Sequence, residues 1–356
     1  MLKIVEEIVI KYYYFFYYYD INKRKKSFGQ GNKSMIKLIK NELIKIFKRK
    51  NIYILFIIAI LVMIGFNLYG KYRNINEDIQ VQYEKAYKQD KFYLENYEVL
   101  ANEEKYEDVL ERVQLENYAI ENNIKYNILL NTQNKSAQLP TDARIELMKV
   151  FNNFDIITIF IIIYLASTII SEEFSSGTIK NLLVKPYKRI SILVSKIITS
   201  ILVTLIVAIA IIVFQYILGG LLFGFDSYSL EAIRYNHITQ QIETMRLSNY
   251  MILMFFSKVP MYIILTIFSL LLGTITNNMA INILFSLGLY LISSEGILFN
   301  NISKYLFIYN WDISKYLFGG MSGIGIIQPI LISGFTVLFI IITLTYIFKN
   351  KDVVSE

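Results

Sequence analysis

Residues 171–196 read SEEFSSGTIKNLLVKPYKRISILVSK, a short polar stretch set between two long apolar runs. The run before it is IITIFIIIYLASTII (156–170), and the run after it is IITSILVTLIVAIAIIVFQYIL (197–218). At about 1.5 Å rise per residue, each run with its flanks is long enough to cross a bilayer core of about 30 Å. The stretch between them carries Glu172, Glu173, Lys180, Lys185, Lys188, Arg189 and Lys196. Basic residues in short loops stay on the cytoplasmic side, so this loop is expected to face the cell interior.

On either side of that loop the chain offers six candidate spans in all: 52–70, 154–171, 197–219, 250–274, 279–293 and 329–348. The expected fold is therefore an all-α polytopic membrane protein with six transmembrane helices. An even number of spans puts both termini in the cytoplasm. Residues 1–51 hold thirteen Lys/Arg against four acids, which agrees with that placement. Within them, 35–51 has Ile36, Ile39, Leu43, Ile46 and Phe47 at helical spacing with Lys between, the pattern of an amphipathic helix lying in the inner interface. Residues 1–34, with KYYYFFYYYD at 11–20, carry no small-residue cleavage site. They read as a disordered leader ahead of a true start at Met35.

Residues 71–150 hold eleven basic and fifteen acidic side chains and fall outside by the span count. Tyr83, Tyr87, Tyr93 and Tyr97, then Tyr106, Leu110, Val113 and Tyr118, make two helical stripes, so the insert is expected to be a helix hairpin built on a small aromatic core. Two charges fall within spans, Asp155 and Lys258, and are candidates for a substrate path. Asp155 is near enough to an end to reach headgroup water, and Lys258 has a stem long enough to snorkel outward. Residues 294–328 alternate apolar and polar residues around Trp311 and read as an outer re-entrant segment with aromatics at the interface.

Composition narrows the function classes. Hydrophobic residues make up 54% of the chain, which excludes a soluble domain of this size. The chain has no cysteine, which removes disulfides, thiol catalysis and cysteine-based metal sites. His237 is the single histidine and reads as a surface side chain. The net charge of +7 follows the topology and calls for no nucleic acid partner. Gly65–Tyr72 nearly spells a phosphate-binding loop, but Tyr72 stands where the magnesium-binding hydroxyl belongs, and the setting is a span end. No catalytic residues, cofactor site or metal site are expected on this chain.

The loop also supports a local reading. Ser175 or Ser176 can cap a short helix, Pro186 can end it, and Ile179, Leu182 and Leu183 share one face. That face would press on a partner or lie under the headgroups. In order, Glu172-Glu173-Phe174, Ser175-Ser176-Gly177-Thr178-Ile179-Lys180, Leu182-Leu183, Pro186, Lys188-Arg189 and Ser195-Lys196 resemble the first cytoplasmic loop of type-2 ABC exporter permeases. The turn in FSLLLGTITNNMAINILFSLGLYL (268–291) resembles the fourth-to-fifth connection of the same family less specifically.

The resemblance covers about residues 35–348 apart from the external insert, and it implies a bacterial plasma-membrane subunit. Residues 172–196 would be a coupling loop that seats on a separate ABC ATPase, which alone binds ATP. Glu172, Glu173, Phe174, Gly177, Thr178, Lys180, Leu182, Leu183, Pro186 and Arg189 would carry that contact. A second permease copy or homologue would complete the unit, and the substrate stays unknown. A second reading remains open, in which a sensor or immunity protein binds a peptide through 71–150 and transports nothing. A secondary transporter would need carboxylates deep in its spans, and the span centres lack Asp and Glu.

Overall fold

A computed structural model describes residues 35–73, 79–95, 103–122, 128–129, 143–152, 154–179, 187–225, 231–236, 238–295, 306–319 and 325–351. The leader reading of 1–34, His237, and the loop residues Lys180, Leu182, Leu183 and Pro186 lie outside them. Helix α1 (35–47) leads into α2 (Lys50–Arg73), and α3 (Ile79–Glu95) and α4 (Glu103–Glu121) follow. A short α5 (Ala143–Asn152) precedes α6 (Asp155–Ser175) and the long α7 (Arg189–Phe223). Then come α8 (Leu247–Thr276), α9 (Met279–Glu295), a turn of helix α10 (Phe307–Asn310), a 3-10 segment (Ile313–Gly319) and α11 (Ile327–Asn350).

Five of these helices are long and apolar enough to cross a membrane: α2, α6, α7, α8 and α11. Helix α9 is apolar but shorter, so the fold is a mostly helical, membrane-embedded bundle with five such helices. Burial ranks them. Of the apolar window, 72% is buried in α6 against 22% in α2 and α11, so α6 sits centrally and those two present Ile, Leu and Phe side chains outward. In water such faces would aggregate, whereas in lipid they are already solvated.

A three-stranded sheet is the exception to the all-α expectation. Strands β2 (Glu231–Asn236) and β3 (Gln241–Arg246) form a hairpin between α7 and α8, and β1 (Ile128–Leu129) pairs in parallel with β2. The side chain of Asn236 holds the hairpin turn by accepting from Ile238 N and Thr239 N at 2.9 and 3.3 Å. Helix α4 packs on β2, where Leu115, Ala119 and Ile233 bury one another. Among the described residues the insert buries the apolar side chains of Ala86, Val109, Leu115 and Ala119, while Leu110 is exposed and Tyr87, Tyr93 and Tyr118 are half-buried. The side chains of the other stripe tyrosines, Tyr83, Tyr97 and Tyr106, lie outside the described residues.

Two further corrections concern boundaries. Helix α6 runs through the two glutamates to Ser175, and α7 begins at Arg189, so the connection is shorter than 172–196. Ser175 and Ser176 do not start a helix. Their hydroxyls return to Glu172 O at 3.1 and 2.6 Å and close the end of α6, with Gly177 next at φ +69°. Helix α5 lies against α7 at Gly219, where an added Cβ would come within 2.9 Å of Glu146 Cβ and 3.2 Å of Ala143 Cα. Between α8 and α9, Asn277 takes the left-handed conformation, and Asn278 caps α9 through Ala280 N and Ile281 N.

Candidate functional site

Charge gathers at the two ends of α6, on Asp155 and on Glu172–Glu173. Eighteen residues of helix separate Asp155 from Glu173, or about 27 Å at 1.5 Å each, close to the thickness of a bilayer core. The charges therefore fall where an α6 spanning the membrane would meet its two faces.

At the Glu173 end, four charges close a ring. The Lys196 ammonium lies 2.7 Å from Glu173 and 3.0 Å from Glu42, and Lys45 lies 2.7 Å from Glu173 and 3.4 Å from Glu42. Lys196 is fully buried and also donates to Ile169 O at 3.1 Å. Two ammoniums against two carboxylates make the ring neutral, which lets Glu42, Glu173 and Lys196 stay out of water while Lys45 remains exposed at its rim. Burial alone would lower the Lys45 ammonium, but the hydrogen bond and charge of Glu173, then of Glu42, outweigh it and hold it above its ordinary value. Arg49 adds a contact to Glu172 and donates to Thr168 O at 3.3 Å.

The ring fixes α1 onto the bundle. Leu38, Glu42 and Ile46 recur every four residues and are all buried, so one face of α1 docks on α6 and α7. Ile36, Ile44 and Phe47 remain exposed among Lys37, Lys40 and Lys48. The other residues of the predicted coupling set fall around the same end. Phe174 packs edge-on against Phe348, with the Lys351 ammonium 4.3 Å from its ring centre. Arg189 donates to the carbonyls of Lys349 and Lys351. Gly177 and Thr178 follow the α6 terminus, and Thr178 exchanges a 2.9 Å hydrogen bond with Ser176. Ile179, expected to face a partner, is instead buried in the main core. The α1 region and the end of α11 thus meet at one end of the bundle.

At the opposite end, Asp155 and Lys258 come together, and neither behaves as the sequence suggests. Lys258 does not snorkel. Its ammonium is buried 2.7 Å from Asp155 and 3.0 Å from Asp312. Tyr262 donates to the other oxygen of Asp155 at 2.8 Å. Asp312 accepts from Ser314 N at 3.1 Å and from its hydroxyl at 2.5 Å. Asp155 is therefore cut off from headgroup water, because Asp312, Lys258 and Tyr262 close over it. Trp311 is also buried, inside the main core. Sequence reading missed Asp312 and Tyr262 as members, since they reach Asp155 only through the fold.

Between the two ends runs a polar seam. Ser167 and Ser269 meet at 3.0 Å, Thr204 and Thr266 at 2.8 Å, and Asn282 joins Ser171, Ser269 and Ser286. Asn67 and Gln215 exchange reciprocal amide bonds at 3.2 and 3.0 Å. Gly65–Tyr72, the lookalike phosphate loop, is continuous helix, and Lys71 donates to Leu222 O at 2.8 Å. Among the described residues no cluster of His, Cys, Asp and Glu is suited to a metal ion.

A family model described as "Protein of unknown function (DUF2705)" matches residues 120–354. "Uncharacterized protein YhcI" of Bacillus subtilis (strain 168) is 25% identical over 328 residues, which is 88% of this chain and 94% of that protein. No solved structure matches. The family match takes in both ends of α6, Lys196, Lys258 and Asp312, and α1 falls before it. Since that match spans more than half of the sequence, the chain belongs to the DUF2705 family, whose function is not defined.

Proposed function

We propose that the chain is the membrane-spanning subunit of an ATP-driven exporter in the bacterial plasma membrane, driven by a separate ABC ATPase through the α6–α7 connection. The observation that carries this reading is the neutral ring of Glu42, Lys45, Glu173 and Lys196. It ties the α6–α7 connection and the basic helix α1 into one block, so a push on the connection is delivered to three helices together. The likeness of residues 171–196 to a coupling loop supplies the partner. In this scheme α9 completes a six-span topology, both termini are cytoplasmic, and 71–150 is outside. ATP is bound by the partner, and a second permease subunit completes the pair. Energy enters as the different affinity of the ATPase for two arrangements of that block.

Two measurements test the reading. Leu182→Asp should leave the protein inserted and folded yet release the ATPase on co-purification. Truncating an anchor typically removes at least ~2 kcal/mol of binding, about thirtyfold in affinity. Phe174→Ala is the poorer probe, because Phe174 packs on Phe348 within the chain. Unchanged co-purification and transport in Leu182→Asp would reduce the loop to a connector and favour a sensor that binds peptide on its outer insert.

The second measurement uses the absence of cysteine. A single cysteine at Asn131 should react with an impermeant maleimide on intact cells, while one at Ser176 should not. The reverse pattern would invert the topology and remove the ATPase from reach.

A further inference from the structure

Residues 306–319 lie across the end of the bundle opposite the neutral ring. Trp311 enters the main core, with Phe307 edge-on at 6.4 Å, and Asp312 meets Lys258. Lys315 donates to Ser293 O at 2.8 Å, and the Ser333 hydroxyl of α11 donates to Asn310 O at 2.8 Å. Two features make this seat imperfect. The Lys258 cluster holds two buried carboxylates in direct contact with one buried ammonium, and the other cation near Asp312, Lys315, sits on the same segment as Asp312. The Trp311 indole N–H is buried without an acceptor.

The two carboxylates are not equivalent. Asp155 belongs to α6 and is held by Lys258 and Tyr262, both on α8, so all three stay within the bundle. Asp312 belongs to the overlying segment. If that segment lifts, Lys258 keeps Asp155 as a neutral pair, Asp312 leaves for water together with Lys315, and the indole N–H finds an acceptor. Electrostatics then favours lifting, while burial of Trp311, Ile313, Tyr316 and Leu317 favours closure. We infer that residues 306–319 are a strap that closes this end of the bundle, with Lys258 as the pin that holds Asp312 down and frees it without leaving a bare charge behind.

The sole tryptophan of the chain sits in the strap and reports its position. In the full-length protein in nanodiscs, Trp311 emission should be blue-shifted and poorly quenched by acrylamide. Lys258→Met leaves two carboxylates facing each other, and the exposed population should rise at least about tenfold, seen as a red shift and stronger quenching. Asp155→Asn should act oppositely, since lifting would now strand the Lys258 ammonium, and quenching should fall below wild type. A cysteine at Ala208, buried in α7, controls for general loosening. Its maleimide labelling should stay slow in both variants. Equal quenching in all three proteins, a change of the same sign in both variants, or labelling of the Ala208 cysteine in parallel with the red shift would each overturn the strap.

Discussion

Replacing Lys196 by methionine is expected to cost about 3–5 kcal/mol of stability, because it leaves Glu42 and Glu173 buried with Lys45 alone to balance them. The magnitude follows from what the lysine does. It is fully buried, touches both carboxylates and satisfies Ile169 O, so its removal converts a neutral ring into one with surplus negative charge. The measurement is denaturant or thermal unfolding of the purified protein in a fixed detergent. A loss under about 1 kcal/mol would mean that the ring is hydrated and holds nothing.

A rescue separates charge from packing. With Glu42→Gln and Glu173→Gln added to Lys196→Met, most of the loss should return, since apolar or neutral replacements of a buried ion pair are often near neutral. Helix α1 should stay docked in the triple variant. Leu38 and Ile46 bury their side chains against the bundle, and each such burial is worth about 1.5–3 kcal/mol. In the single variant the same apolar contacts compete with an uncompensated charge of larger magnitude. On the proposed function, an ATPase that still co-purifies with Lys196→Met but no longer drives transport, with recovery in the triple variant, is the pattern expected if the ring transmits motion and does not itself make the contact.

The helices were legible because lipid-facing segments must be apolar along their whole length, and a run such as 197–218 allows no other reading. Their ends were not. Glu172, Glu173 and Lys196 look like loop residues in a linear text, yet each is helical, because partners elsewhere in the fold neutralise Glu173 and Lys196. The same blindness hid the Asp155–Lys258–Asp312 cluster. Its members are 103 and 54 residues apart, and no local periodicity links them. In residues 231–246, Asn236 before the turn and the alternation around Ile233 and Tyr235 carry a hairpin signal, but a short one among the long apolar runs on either side. The burial of Trp311 was hidden for a related reason. An interfacial tryptophan and a buried one have the same neighbours in sequence, and only the strap's course over α8 and α11 decides between them.

Asn282→Leu should cost about 2–3 kcal/mol, and the way that figure arises tests how the seam is solvated. The side chain is fully buried and makes four hydrogen bonds. Its Nδ2 donates to Ser171 Oγ at 2.9 Å and to Ser269 O at 2.8 Å, and its Oδ1 accepts from Ser269 and Ser286, both at 3.2 Å. Leucine has nearly the same shape, so the change removes bonds and little volume. In a soluble core, orphaned partners at about 1–3 kcal/mol each would carry the total well above 4. In a membrane bundle such bonds average about 0.6 kcal/mol, because freed hydroxyls fall back on carbonyls of their own helices.

Four bonds at that value give about 2.4 kcal/mol, and the hydroxyls have somewhere to go: Ser269 keeps Ser167 at 3.0 Å. Gly273 keeps the seam tight, since a Cβ there would lie 2.5 Å from Ser171 Oγ and 3.1 Å from Asn282 Nδ2. The leucine methyls therefore have little freedom to escape, which places the expectation at the upper part of the range. Ser286→Ala, which removes one bond of the four, should cost roughly 0.6 kcal/mol by the same reckoning. Unfolding in mixed micelles of rising SDS content measures both. A loss near 5 kcal/mol for Asn282→Leu would show that the serines stay orphaned and the seam behaves as a soluble core. A loss under about 0.5 would show that packing at Gly273, and not hydrogen bonding, holds α6, α8 and α9 together.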